Sequence, residues 1–164
     1  MSMISKPLLE MIRDQSSLSA DGFHGLDHWV RVLANGRKLA VITGANLKVV
    51  ELFAAFHDSR RLNEGYDPEH GARGAAFARE MRGEWFDATD HEMEFLVLAC
   101  EQHSDGVTKA DITVQTCWDA DRLDLGRVGT KPDARYLCTD AAKDPKMIKW
   151  AHNRATAIRA KKLG

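Results

Sequence analysis

Two runs in this chain leave little freedom in how it can fold: VVELFAAF at 49–56 and FLVLAC at 95–100. Both are too continuous to alternate across the two faces of a strand. Read as helices, they are apolar on nearly every side, and a helix without a polar face belongs in the middle of a core. Each run stops abruptly at polar residues, His57-Asp58 after the first and Glu101-Gln102-His103 after the second. Polar groups at the end of a buried helix need partners there. A metal ion at the rim of the core would supply one.

The rest of the chain supports a helical protein. Its four prolines, at 7, 68, 132 and 145, leave long stretches rich in Ala, Leu, Glu, Lys and Arg, which favour helix. The pattern predicts seven helical segments, at about 3–14, from near 24 to about 43, and at about 46–59, 68–82, 90–103, 112–125 and 144–162. Asn46 is a good helix start. Asp67 with Pro68 and Asp144 with Pro145 read as a cap followed by a first-turn proline. Thr89 with Glu92 reads as a capping box. Gly65, Gly83, Gly106, Gly126 and Gly129 punctuate the loops. No strand pattern, internal repeat or dividing linker is visible. The 164 residues therefore predict an all-α protein, one domain over 1–164, built as a bundle of six to seven helices.

Charge and cysteine usage narrow the classes further. A formal net charge of −1 gives no electrostatic argument for nucleic acid or an anionic membrane. The basic cluster Arg159, Lys161 and Lys162 reads as a solvated helix end. Lys6, Glu10, Arg13 and Asp14 break the N-terminal apolar runs, and no stretch approaches the roughly 18 apolar residues of a membrane span. A cytoplasmic protein is expected. The cysteines at 100, 117 and 138 are scattered and odd in number, as reduced buried thiols would be.

Among the seven histidines, His91 and His152 have no acidic or histidine neighbour that suggests a site and read as structural or surface groups. His24 and His28 share a helix face at i,i+4 but lack the adjacent Glu of the H-E-x-x-H zinc motif. His57 and Asp58 diverge by about 100° on a helix, so both reach one ion only at the helix end. Cys100, one turn before His103, is weighed as a soft ligand and reads better as a core thiol. Trp29, Trp85, Trp118 and Trp150 read as core or pocket wall. No Gly-rich phosphate loop and no nucleophilic Ser or Cys triad is present.

The ordered set His28 in HGLDHWVRV, His57-Asp58 in AAFHDSRR and Asp121 in DADRLD resembles the HD-domain superfamily of metal-dependent phosphohydrolases, over about residues 24–127. The resemblance implies an HD-domain helical bundle, with His28, His57, Asp58 and Asp121 as ligands to a divalent metal. His70 in HGARGAAFA and His103 in HSDG are similar to the additional histidines of dinuclear members, which would hold a second ion. The same segments, with Arg127 six residues after Asp121, partly resemble HD-type diadenosine tetraphosphate hydrolases. The chain departs from HD-GYP cyclic dinucleotide phosphodiesterases: it has no GYP triplet, and Gln102-His103 stands where they have paired histidines. It also carries Arg61 where mononuclear HD nucleotidases have a catalytic Glu. Glu64 or Asp67 could replace that carboxylate. Arg60-Arg61 could hold phosphate in bidentate fashion, or pair with Glu64 or Asp67 at the surface. Arg122 and Asp124 read as a salt bridge beside the metal Asp121.

The expected chemistry follows from these parts. The nitrogen and oxygen ligands suit one or two ions of Mn, Fe, Zn, Co or Ni better than Ca. The leading expectation is hydrolysis of a nucleotide or other small phosphate ester or anhydride by a metal-activated water. Asp58 would be ligand and proton acceptor, and Arg61 and Arg127 would bind the substrate. Two alternatives stand beside it, an HD-type di-iron oxygenase and a nucleotide-binding regulatory domain without turnover. A small-molecule phosphate is the expected partner, with no nucleic acid or membrane. The oligomeric state stays open.

Overall fold

In the computed structural model the described residues run from 4 to 163, with side chains described as far as 157. They form eight α-helices: α1 (Lys6–Asp14), α2 (Leu26–Thr43), α3 (Leu47–Phe56), α4 (His70–Met81), α5 (Asp90–Gln102), α6 (Ile112–Arg122), α7 (Asp140–Lys143) and α8 (Pro145–Leu163). Short 3-10 turns cover Leu125–Val128 and Ala134–Tyr136. Among the described residues there is no strand, only an isolated bridge between Arg82 and Phe86. No described helix is long and apolar enough to cross a membrane. Met3, placed in the first helix by its sequence pattern, and the side chains of Arg159, Lys161 and Lys162 lie outside the described residues.

All seven segments read from the sequence are present. The additional α7 is a single turn, too short to show a helical period, and it is held by its cap: Thr139 Oγ1 accepts from the Ala142 amide at 3.2 Å. The predicted starts of three helices hold for the expected reason. Asn46 accepts from the Val49 amide at 3.2 Å, Thr89 and Glu92 close a reciprocal capping box, and Asp144 accepts from the Lys146 amide at 2.9 Å. The start of α4 differs. It begins at His70, after Pro68, and Asp67 does not cap it. The Asp67 carboxylate instead accepts from the Leu62 amide at 2.8 Å and from Arg73 at 2.6 Å, so it closes the 62–67 loop.

The apolar run of α3 is central, as its pattern requires. Val49, Val50, Leu52, Phe53, Ala54, Ala55 and Phe56 are each at most 1% exposed. α3 packs against α2, α4, α5 and α6. Burying such side chains contributes roughly 1.5–3 kcal/mol each for the larger ones, which fixes α3 in place and its C-terminal end with it. Trp118 and Trp29 are core residues, whereas Trp85 is 37% exposed and Trp150 lies under Lys38 and Arg154.

α4 reaches the same place through glycine. A Cβ at Gly71 would lie 2.2 Å from the Cys100 carbonyl oxygen of α5, and one at Gly74 would lie 2.5 Å from the Phe56 carbonyl oxygen of α3. Only glycine lets the three backbones approach this closely. Gly74→Ala is expected to push α4 off the end of α3 and lower stability by about 1–3 kcal/mol. Chemical denaturation with and without added Mn(II) checks this; a variant as stable as the parent, with the same metal-induced gain, would refute the tight approach.

Candidate metal centre

The ends of four helices converge on Asp58. His28 lies near the start of α2, His57 caps the C-terminal end of α3, His70 opens α4 and His103 caps the end of α5. Asp121 comes from the last turn of α6. The divergence of His57 and Asp58 is resolved as geometry requires, because both lie where α3 stops.

The side chains form two donor groups that share Asp58: His28, His57, Asp58 and Asp121, and Asp58, His70 and His103. In the first, His28 Nε2 lies 3.1 Å from His57 Nε2, 3.1 Å from Asp121 Oδ1 and 3.3 Å from Asp58 Oδ2. His57 Nε2 lies 3.4 Å from both carboxylates. In the second, His70 and His103 approach at 2.9 Å between Nε2 atoms and lie 3.2 and 3.3 Å from Asp58 Oδ1. The two oxygens of Asp58 thus face different groups.

These residues fit metal ions. Donors held about 2.0–2.2 Å from one transition metal are about 2.8–3.6 Å apart in octahedral or tetrahedral arrangements, the spacing found here. Each histidine turns its Nδ1 away from the centre. His28 Nδ1 lies 2.7 Å from Asp124 Oδ2, His57 Nδ1 3.0 Å from the Phe53 carbonyl and His103 Nδ1 2.7 Å from the Cys100 carbonyl, while His70 Nδ1 is bonded to the Asp67 carbonyl. With Nδ1–H donating outward, the Nε2 lone pairs point inward, the arrangement that second-sphere partners impose on metal-binding histidines. Asp121 Oδ1 is buried with no hydrogen-bond partner of acceptable geometry, although two imidazoles lie within 3.4 Å. A cation would satisfy it.

Electrostatics point the same way. Burial works against a charged His57, but the Asp58 charge and the close approach of the Asp121 and Asp58 carboxylates prevail and raise its pKa to about 10. His28 is raised too, against burial and Arg127, by the nearby Asp121, Asp124 and Asp58 carboxylates. Burial opposes ionisation of Asp58, yet the facing His57 charge and the His103, His28 and His57 bonds hold its carboxyl well below the usual carboxylate range. Asp121 is held low against burial by His28 and His57. Asp58 is therefore better suited to hold cations through both oxygens than to take up a proton.

Several expectations change. Neither Arg61 nor Arg127 presents a free fork. Arg61 donates Nε to Asp58 Oδ1 at 3.3 Å and Nη1 to the Gly65 carbonyl at 3.1 Å. Arg127 donates Nε to the Phe23 carbonyl and Nη1 to the Asp124 carbonyl, both at 2.9 Å. Arg60 leaves the centre altogether, lying 4.0 Å over the Phe77 ring and bonding to Gln15. Asp67 is bound to Arg73 and Glu64 to His24, so neither stands ready in place of the missing Glu. Asp124 does not pair with Arg122. It accepts from Arg31 Nε at 2.7 Å as well as orienting His28, whereas Arg122 binds the Val107 and Tyr136 carbonyls. Arg31 and Asp124 were missed as site residues; the i,i+3 spacings His28–Arg31 and Asp121–Asp124 were the available signal. Cys100 joins neither donor group; burial first, and the charges of Asp58 and Glu101 after it, push its thiol strongly up. His24 joins neither donor group, and His91 is exposed beside Glu94.

No protein-family model matches the chain, and no curated protein does. A solved structure does: a predicted HD superfamily hydrolase from an uncultured Thermotogales bacterium, at 24% identity and a TM-score of 0.69, covering 96% of this chain and 90% of that one. This chain has an HD-domain fold. At that identity the likeness establishes the arrangement of helices, and the His/Asp clusters are groups whose spacing could hold a metal ion.

Because a protonated His57 must lose its proton before it can bind a cation, metal uptake by the HD centre should release protons, and affinity should rise with pH through neutrality toward about 10. Calorimetry of Mn(II) or Zn(II) binding in buffers of different ionisation enthalpy reads the proton count; uptake without release would contradict it. Asp124→Asn, which loosens His28, should weaken the first ion by about 10–100-fold while leaving the helical content intact.

Proposed function

We propose that this HD-fold protein is a metal-dependent phosphohydrolase acting on a nucleotide or other small phosphate ester or anhydride. The observation that carries the reading is the pair of donor groups sharing Asp58. His28, His57, Asp58 and Asp121 would hold one ion, and His70, His103 and Asp58 a second. The description of the structural neighbour as a predicted hydrolase supports the same reaction class. Bound metal supplies Lewis acidity and lowers the pKa of a coordinated water from about 15.7 towards 7. The chain's own residues do the rest. Asp124 and Arg31 fix the His28 ring. Arg61, buried beside Asp58, and the partly buried Arg127 beside Asp124 would contribute positive charge next to a phosphoryl group without wrapping it, and limited solvent access keeps that charge effective.

Nucleoside mono- and polyphosphates, diadenosine tetraphosphate and a chromogenic phosphate ester, each with Mn(II), Fe(II), Co(II), Ni(II) and Zn(II), test the proposal. Phosphate release is expected with at least one pair, and Asp58→Ala should lower it by more than about 100-fold by disrupting both donor groups. The complete set of four histidines and two aspartates also suits a di-iron oxygenase. Oxygen consumption by anaerobically reconstituted di-iron protein with an organic substrate, and no phosphate turnover with any metal, would establish that second reading. Tight nucleotide binding without either reaction would make the fold a sensor.

A further inference from the structure

The loops beside the metal centre carry apolar side chains that the core does not use. Phe23 is 54% exposed, Leu62 64% and Tyr66 89%. Each is the chain neighbour of a residue tied to the centre. Phe23 precedes His24, whose ring lies edge-on to His28 with centroids 6.2 Å apart. Leu62 follows Arg61, which binds Asp58. Tyr66 precedes Asp67, whose carbonyl orients His70.

The two loops are fastened to each other. His24 Nδ1 is bonded to the Glu64 carboxylate, and that carboxylate lies against Gly22 where any Cβ would stand. The Phe23 main chain is held by Arg127, the arginine that also binds the Asp124 carbonyl. Residues 22–24 and 62–66 therefore make one rim, fixed to the centre at both ends. Exposed apolar residues are ordinary when scattered singly. Three on two fastened loops, beside a centre whose donor groups could hold cations and whose arginines Arg61 and Arg127 are paired with Asp58 and Asp124, set an apolar part next to a part that would take an anion. A ligand that matches it has an aromatic ring at one end and an anion at the other.

We infer that Phe23, Leu62 and Tyr66 bind an aromatic ring carried by the phosphate substrate, so that the site selects aryl-bearing phosphates over alkyl ones. The inference rests on the phosphohydrolase reading and adds the residues that recognise the non-phosphate half. The Glu64–His24 bond positions the rim.

The test is binding, which needs no turnover. The affinities of Mn(II)-loaded protein for phenylphosphonate and methylphosphonate are measured by calorimetry. The parent should bind the phenyl compound at least about tenfold more tightly, as ring stacking on exposed aromatic side chains allows. The double variant Phe23→Ala, Tyr66→Ala should erase that preference and leave methylphosphonate affinity unchanged, with metal content and circular dichroism as checks of folding. Tyr66→Phe should keep the preference, and Val41→Ala, an exposed apolar change on α2, should not alter it. If methylphosphonate binds and the phenyl compound binds no better, or if the double variant weakens both equally, the rim assignment is wrong while the phosphate reading stands. If neither phosphonate binds the metal-loaded protein, the phosphate reading falls and the rim with it. A dimer that the double variant dissociates without changing the phosphonate ratio would overturn the assignment in favour of self-association.

Discussion

Asp58 is a carboxylate at 2% exposure whose two oxygens face two different pairs of imidazoles, and much of the architecture exists to make that possible. An isolated ion so deep in a protein would be prohibitively unstable. It is tolerated because four helix ends deliver cationic or metal-binding partners to it. α3 brings Asp58 to the rim of the core because its apolar run leaves it no other position. α4 brings His70 within reach because Gly71 and Gly74 let backbone meet backbone. α5 brings His103 because its own apolar run ends beside that of α3.

The same constraint explains the surrounding polar groups. Imidazoles packed Nε2 to Nε2 need their tautomers fixed from behind, and carbonyls at the ends of α3 and α5 do this for His57 and His103. These carbonyls belong to the last turns, where the helix leaves acceptors unpaired. His28 has no such carbonyl because it sits at the start of a helix, and Asp124 takes over, itself steadied by Arg31. Arg61 and Arg127 serve the scaffold first. Each ties a loop carbonyl to the centre, which makes them positioning groups as well as sources of charge.

Rigidity at the base contrasts with exposure at the rim. Phe53 stacks on His57 with centroids 4.7 Å apart and an interplanar angle of 21°, so the apolar core extends directly under the ligand rings. Above them, the 22–24 and 62–66 segments hold their shape through side-chain bonds rather than through burial. On the proposed reading, chemistry and selectivity would be divided between helix ends and loops, the usual division in proteins whose scaffold fixes the reacting groups.

The helical class, the seven main segments and the joint placement of His57, Asp58 and His103 where apolar runs end were legible in residue order, because periodicity and apolar run length act locally; only the α3 run is buried all round, since Phe95, Val97 and Leu98 leave α5 partly exposed. Three of four proposed caps were legible for the same reason. The ligand set rested on resemblance in the sequence, and it was the fold that brought six side chains from five helices and their ends within ligand distance. The partners of the arginines were not legible. Arg61 and Asp67 bond within the 58–73 segment, to a few of the many partners it offers, while Arg122 and Asp124 had plausible partners nearby in sequence but find theirs far along the chain, because a guanidinium or carboxylate reaches across a packed interface as easily as along a helix. Which loop carbonyl lies there is decided only when α2, α4 and α6 have docked. Sequence determined which groups had to be satisfied at the rim of this core; tertiary packing decided which atoms satisfied them, because burial fixes a helix end to within a turn while a hydrogen bond requires it to within tenths of an ångström.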